Sequence, residues 1–239
     1  MNQEKRRVLV IGGTGAVGSA VVRELSQAEL SPMFTYCNSE ARAVALAEEL
    51  GLRRLRVDLR DASALPKLVA SLEAENNLPD VVIHCATIVR QARVDVATDE
   101  DWDTTMHVNA RSAFQICREW GGRLGARGGG DIVFVAALDR TQSLPIPPVF
   151  AASQGLVSAL AMAAAKDLGP RGVRVNVVAL GLLGTGIGAE LDPKLVEDYH
   201  AMSALRRLGD AGEVAKTIAW LALHNTYLNG KVVSVNGGI

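Results

Sequence analysis

The sequence predicts a single doubly wound α/β domain, a seven-stranded, mainly parallel sheet with helices on both faces. Three observations carry this. Short β-branched runs alternate with helical stretches along the 239 residues, the first run ends in a glycine cluster that opens a helix, and no linker-like segment interrupts the apolar pattern. A chain of this length suits one such domain, covering residues 1–239.

Strands are expected at Arg7–Ile11, Pro32–Tyr36, Arg54–Val57, Val81–Cys85, Asp131–Ala136, Arg174–Ala179 and Lys231–Val235. Between them, Val17, Val21 and Leu25 recur at helical spacing, as do Val44, Ala47 and Leu50 after Ser39, a candidate N-cap. Apolar strands joined by helical crossovers pair in parallel and are covered on both faces. The right-handed crossover rule then puts the ligand crevice at the carboxyl ends of the strands. Gly125–Gly130 reads as a turn before the fifth strand, and Leu144–Pro148 as an irregular loop after it.

Hydrophobic residues make up 49% of the chain and charged residues 21%, an ordinary globular balance. A formal net charge of -1 gives no global field toward nucleic acid or an anionic membrane, and neither partner is expected. The apolar run Val8–Ile11 is too short for a signal-peptide core or a spanning helix. Cys37, Cys85 and Cys117 lack metal or redox spacing, so they read as buried small hydrophobes in a reducing cytoplasm, and no metal site is expected.

The first strand runs into Gly12-Gly-Thr-Gly15-Ala-Val-Gly18 and a helix follows. Glycines in that place allow a tight turn and close approach of the backbone to a pyrophosphate, while the helix N-terminus offers free N–H groups to the anion. The loop is therefore a candidate Rossmann dinucleotide site. A turn that simply needs small residues is the plainer reading.

From here the chain resembles the short-chain dehydrogenase/reductase family, most closely its 3-oxoacyl-acyl-carrier-protein reductases, over essentially its whole length. The glycine loop is similar to the family's TGxxxGxG, with Ile11 for Thr and Ala16 for the middle Gly. Val57-Asp58-Leu59 resembles the segment whose Asp contacts adenine, and Ile83-His-Cys-Ala-Thr87 stands where the family has an Asn-Asn-Ala-Gly strand end. Trp102 and Val108-Asn109 match a central helix, with Asn109 at the catalytic Asn. Arg206-Arg-Leu-Gly209, Glu213-Val214 and Asn229–Gly238 resemble the C-terminal third. The resemblance implies cofactor contacts at Gly12, Thr14, Gly15, Val17, Gly18, Asn38, Ser39, Asp58, Leu59, Cys85, Ala86, Thr87, Gln154 and Thr185.

The departures fall where the family does chemistry. Its Tyr and Lys, spaced YxxxK, fall on Phe150 and Gln154, and its Ser falls on Ala137. In such reductases the Tyr protonates the developing alkoxide, the Lys lowers the Tyr pKa and binds ribose, and the Ser polarises the carbonyl. Phe150 has no proton to give, Ala137 no hydroxyl, and Gln154 no charge. A general acid is worth about 10²–10⁴ in rate and an oxyanion donor about 10²–10³, although such residues act as a unit. Ordinary carbonyl reduction is expected to be severely impaired. The family's Pro-Gly after the sixth strand is Leu180-Gly181, and a glycine after the central Asn is Ser112.

Replacement groups are few. Asp139 and Arg140 follow Ala137 on the loop that borders the expected cleft, with Gln142 and Ser143 beside them. His84 is titratable near neutrality, yet its position lies away from the expected hydride-transfer centre; packing or a hydrogen bond is the plainer reading. Ser153 is expected to face a helix neighbour, and His107 to point to a different face from Asn109.

Thr35-Tyr-Cys-Asn-Ser39, with Arg42 a turn later and no carboxylate before Glu40, favours NADP over NAD. Asn38 and Ser39 as helix caps explain the same residues. The resemblance implies a homo-oligomer, dimer or tetramer, with the Ala-rich helix Phe150–Ala165 as a subunit interface rather than a membrane segment. A hetero-oligomer with an active paralogue, and an acyl carrier protein facing Arg127 and Arg171, are further implied partners. Three functions stay open: a degenerate, non-catalytic or weakly catalytic homologue; a working NADP-dependent oxidoreductase with an unusual proton donor; and a non-redox isomerase, dehydratase or cyclase.

Overall fold

The apolar runs that the pattern marks out are strands, buried on both faces in the middle of the sheet and partly exposed at its two edges. The computed structural model describes residues 6–137, 146–186 and 193–239. Its strands are β1 (Val8–Ile11), β2 (Met33–Tyr36), β3 (Arg54–Arg56), β4 (Val81–His84), β5 (Gly130–Ala136), β6 (Val173–Leu180) and β7 (Val232–Val235). Each end lies within one residue of the expectation. They form one sheet in the order β3-β2-β1-β4-β5-β6-β7, paired in parallel throughout.

Helices cover both faces: α1 (Ala16–Gln27), α2 (Glu40–Leu50), α3 (Ala64–Ala74), α4 (Asp99–Thr105), α5 (Ser112–Ala126), α6 (Pro148–Leu168), α7 (Pro193–Met202) and α8 (Ala211–Leu223). Alternation along β1 sorts the core. Leu9 and Ile11 pack with Leu65, Leu72, Ile116, Trp120 and Val157 of α3, α5 and α6. Val8 and Val10 pack with Val21, Leu25, Leu46, Val214 and Ile218 of α1, α2 and α8.

Three local expectations need correction. The Gly125–Gly130 stretch is shared out, since α5 continues to Ala126 and β5 begins at Gly130. Gly129 lies at φ +117°, and a Cβ there would stand 2.4 Å from the Gly172 carbonyl oxygen. The central helix is not a plain α-helix either, because Met106–Arg111 between α4 and α5 is a π-helical segment. Finally, Cys117 is buried, but Cys37 and Cys85 are half-buried.

At the edge where the strands begin, Asp131 of β5, only 1% exposed, binds two arginines. Arg174 of β6 grips it through two nitrogens at 2.8 Å each, and Arg6 approaches to 2.5 Å while also donating to the Ala222 carbonyl of α8. One carboxylate thus ties the chain's N-terminal segment, two strands and a helix. The functional end of the sheet is the other one, where β1 and β4 diverge toward helices on opposite faces.

Candidate functional site

The glycine turn is shaped by close approach. Gly12 has φ +85°, and a Cβ on it would come within 2.7 Å of the Ala86 backbone. On Gly18 a Cβ would meet the Gly12 carbonyl oxygen at 2.1 Å, so α1 packs against the turn in a way no other residue allows. The turn is fixed to β2 by Gly12 N–H donating to Thr35 Oγ1 and Gly13 N–H to the Thr35 carbonyl. Gly15, the exposed N-cap of α1, supplies no side-chain cap. The first N–H groups of α1 are left without a capping side chain beside a cradle that fits a pyrophosphate.

Beside this turn lies a cavity of about 370 Å³. Of the residues expected at the site, Gly15, Val17, Cys85, Thr87, Thr185, Ala137, Phe150 and Gln154 line it. Its remaining wall is largely apolar, from Val89 after β4, Ile146 and Pro147 before α6, Leu180, Leu182 and Leu183 at the end of β6, and Leu195 of α7. Gly12, Thr14, Gly18, Asn38, Ser39, Asp58, Leu59, Ala86 and Asn109 are not among the lining residues. Asp139, Arg140, Gln142 and Ser143 lie outside the described residues.

At the reacting end, Gln154 is 2% exposed, and its Oε1 accepts the Ala137 N–H at 2.9 Å while its Nε2 donates to Ser153 Oγ at 3.3 Å. The amide is bound into the junction between β5 and α6. Phe150, also buried, presents hydrocarbon. Burial pushes the Cys85 thiol up to about 12, so it neither ionises nor gives its proton readily near neutrality.

Asn109, expected at the reacting centre, is drawn into the scaffold. Its Oδ1 accepts the Ile88 N–H, and its Nδ2 donates to the Ile88 carbonyl and to Ser153 Oγ, at 2.9, 2.9 and 3.0 Å. Ser153 in turn donates to the Phe150 carbonyl at 2.7 Å, in keeping with a side chain turned to helix neighbours. His107 does not line the cavity.

His84 and Ser112, two departures far apart in sequence, meet at 2.7 Å. Ser112 Oγ donates to the Val108 carbonyl at 2.5 Å inside the π-helical segment, so the imidazole must donate through Nε2. His84 Nδ1 is then a buried acceptor without a partner. Burial lowers the His84 pKa to about 4, which keeps the ring neutral. His84 therefore braces the π-helical segment that carries Asn109, and proton exchange near neutrality is not its role.

At the outer end, Ser39 does not cap α2 with its side chain. Its hydroxyl instead accepts from Arg42, which reaches the cavity wall, while Asn38 Oδ1 accepts from the Cys37 thiol. Arg60 chelates the Asp58 carboxylate and holds its pKa below the usual range. Glu40 is drawn toward the Tyr36 hydroxyl at 2.7 Å and Arg54 at 2.6 Å.

A family model described as enoyl-(acyl carrier protein) reductase matches residues 13–239. The chain belongs to this short-chain dehydrogenase/reductase family. It is 27% identical over 237 residues to nodulation protein G of Rhizobium sp. (strain N33), covering 98% of this chain and 96% of the relative. To a 3-oxoacyl-[acyl-carrier-protein] reductase of Staphylococcus aureus (strain Mu50) it is 23% identical over 240 residues, covering 98% of each. A solved blue fluorescent protein from a metagenomic library, in complex with NADPH, superposes with a TM-score of 0.88 at 25% identity, covering 100% of this chain and 99% of that one.

Against the family pattern, two features escaped sequence reasoning. The leucine wall draws on β6, its following loop and α7, so no local motif marks it. Arg56 is the other: in register with Tyr36 across β2 and β3, exposed, and without a hydrogen bond or ion pair among the described residues, it stands beside the Cys37–Glu40 turn. Its signal was a second arginine in a short edge strand. Arg127 and Arg171, by contrast, precede β5 and β6 and lie at the sheet edge opposite the cavity of their own chain. Arg127 is also paired with Asp80. The helix Pro148–Arg171 is long and apolar enough to cross a membrane by composition, yet α6 lays one face, from Phe150 through Val157 and Ala161 to Leu168, into the core.

Proposed function

We propose that this chain binds NADP(H) in the crevice and is a poor ketone reductase, a non-catalytic or weakly catalytic partner in acyl- or polyketide-type metabolism. One observation carries the reading. Ala137, Phe150 and Gln154 meet at one cavity, beside a glycine cradle whose geometry still fits a pyrophosphate. When bound, the dinucleotide supplies hydride; the residues around it bind, orient and exclude water.

The 2′-phosphate is favoured by Arg42 and Arg56, two cations at the β2 end, and by the withdrawal of Glu40 to Tyr36 and Arg54. The NADPH complex of the blue fluorescent relative supports the same choice. A cytoplasmic protein fits three free thiols. Self-association is supported by the outer face of α6, where Ala152, Gly155, Leu156, Ala159 and Ala163 form an exposed strip of small and apolar residues near exposed Phe114 of α5. Recognition of an acyl carrier through Arg127 and Arg171 needs such an assembly, since within one chain they face away from the cavity.

A working oxidoreductase with another proton source is the second reading, favoured by the intact cradle. The non-redox reading loses His84, which is buried and neutral. Titration of NADPH fluorescence, compared with NADH, and NADPH oxidation with acetoacetyl thioesters test the proposal. NADPH is expected to bind more tightly than NADH, with turnover down by roughly 10² or more relative to a catalytically complete relative. Turnover at a relative's full rate, or no dinucleotide binding at all, overturns it.

A further inference from the structure

We infer that the loaded crevice passes hydride to preformed cationic C=N bonds, N-alkylated cyclic iminium ions, and not to neutral carbonyls. The inference rests on the dinucleotide reading above and extends it to a substrate class.

Its first ground is the proton. Hydride added to a carbonyl leaves an alkoxide that must be protonated as it forms. Among the described lining residues there is no carboxyl group, imidazole or phenol, and Cys85 holds its proton firmly. An iminium ion has no such need. Hydride leaves the dihydronicotinamide of NADPH and forms a C–H bond at the electrophilic carbon. The C=N π pair moves onto nitrogen and cancels its charge, and the dihydronicotinamide becomes the aromatic nicotinamide cation. Two electrons and one hydrogen move, and no proton is transferred.

Charge is the second ground. Two unit charges about 5 Å apart repel by about 3 kcal/mol at an effective dielectric of 20, so an ammonium at position 154 would exclude a cationic substrate. Gln154 is neutral there, and its carbonyl oxygen is fixed on the Ala137 N–H. Among the described lining residues the single cation is Arg42, on α2 beyond the glycine turn. Shape is the third. Pro147, Phe150, Leu180 and Leu182 give hydrocarbon walls for a fused ring frame, and Phe150 stands where a hydroxyl would otherwise need a partner.

The test compares N-methyl-3,4-dihydroisoquinolinium with 1-tetralone, a neutral ketone of the same frame, using the full chain and NADPH after subtraction of the uncatalysed rate. Expected is iminium reduction at a rate flat from about pH 6 to 9, with the ketone at least roughly 10²-fold slower. Equal rates overturn the inference. So does an inert iminium with NADPH binding intact by fluorescence, whereas loss of NADPH binding itself removes the dinucleotide reading as well. A readout without turnover is calorimetric binding of the saturated N,N-dimethyl-tetrahydroisoquinolinium to the NADPH-loaded protein. Gln154→Lys should weaken it by roughly tenfold or more and Gln154→Glu should strengthen it. If either variant fails to fold, the other decides; unchanged affinity overturns the charge argument.

Discussion

Lowering the pH from 7 to 5 should destabilise this protein through one residue, His84. The imidazole is buried at the end of β4, edge-on to Phe134 at 6.0 Å between ring centres, with Nε2 bonded to Ser112 and Nδ1 without a hydrogen-bond partner. Protonation would place a charge there with no counter-charge, which is why burial lowers the pKa from 6.5 to about 4. The folded pKa lies below the unfolded one, so the unfolded chain binds the proton first. Stability is therefore complete above about pH 6.5 and falls as the pH drops toward 4. Each pH unit in that window is worth about 1.4 kcal/mol, giving a loss of about 2 kcal/mol by pH 5. Guanidinium denaturation at pH 7 and pH 5, for the wild type and His84→Asn, isolates the effect as the difference between their pH dependences. Glu213, held at about 2 by Arg207, does not titrate in this range. If both proteins lose the same stability between the two pH values, the buried, unpaired Nδ1 has been misread.

Two further perturbations test the scaffold and the site. Asp131→Ala removes the partner of both Arg6 and Arg174 and should cost about 3 kcal/mol in denaturant unfolding, the lower end for a buried pair because both arginines keep some solvent; a change below about 1 kcal/mol would show the cluster to be solvated surface. The triple variant Ala137→Ser, Phe150→Tyr, Gln154→Lys should raise acetoacetyl-thioester reduction by roughly 10² or more; continued inactivity with NADPH still bound would locate the remodelling elsewhere in the pocket, the leucine wall first.

The central strands were legible because parallel strands covered on both faces are rich in β-branched and other apolar residues, as in Val8–Ile11 and Val81–His84. The glycine cradle was legible for a related reason: a residue whose Cβ would lie 2.1 Å from a carbonyl oxygen has one permitted identity. The π-helical segment was hidden, since its residues carry ordinary helical composition and the extra residue per turn leaves no compositional mark. Ser39 was read as a cap on local grounds, but a guanidinium three residues on competes for its hydroxyl. The reach of Asn109 left no local mark. Its identity was matched, but its partners, the Ile88 backbone and Ser153, lie 21 and 44 residues away, and only the fold brings them together.

His84 and Ser112 make the same point with consequences for the chemistry. Singly, each looked like an isolated departure from the family pattern. Joined at 2.7 Å, they form a brace that holds the Val108 carbonyl, next to Asn109, which holds the Ile88 backbone and Ser153, which shares its oxygen with Gln154. Gln154 closes the chain on the Ala137 N–H. The replaced chemical groups and the altered scaffold are thus links of one hydrogen-bonded path from β4 to the end of β5. Gln154→Lys would leave the Ala137 N–H without its acceptor, since an ammonium only donates, so the return of a charge alone does not reconstitute the reductase geometry and Ala137→Ser and Phe150→Tyr must accompany it. Gln154 is thus a structural link of the pocket, holding the Ala137 N–H and Ser153, as well as the place where a charge is missing.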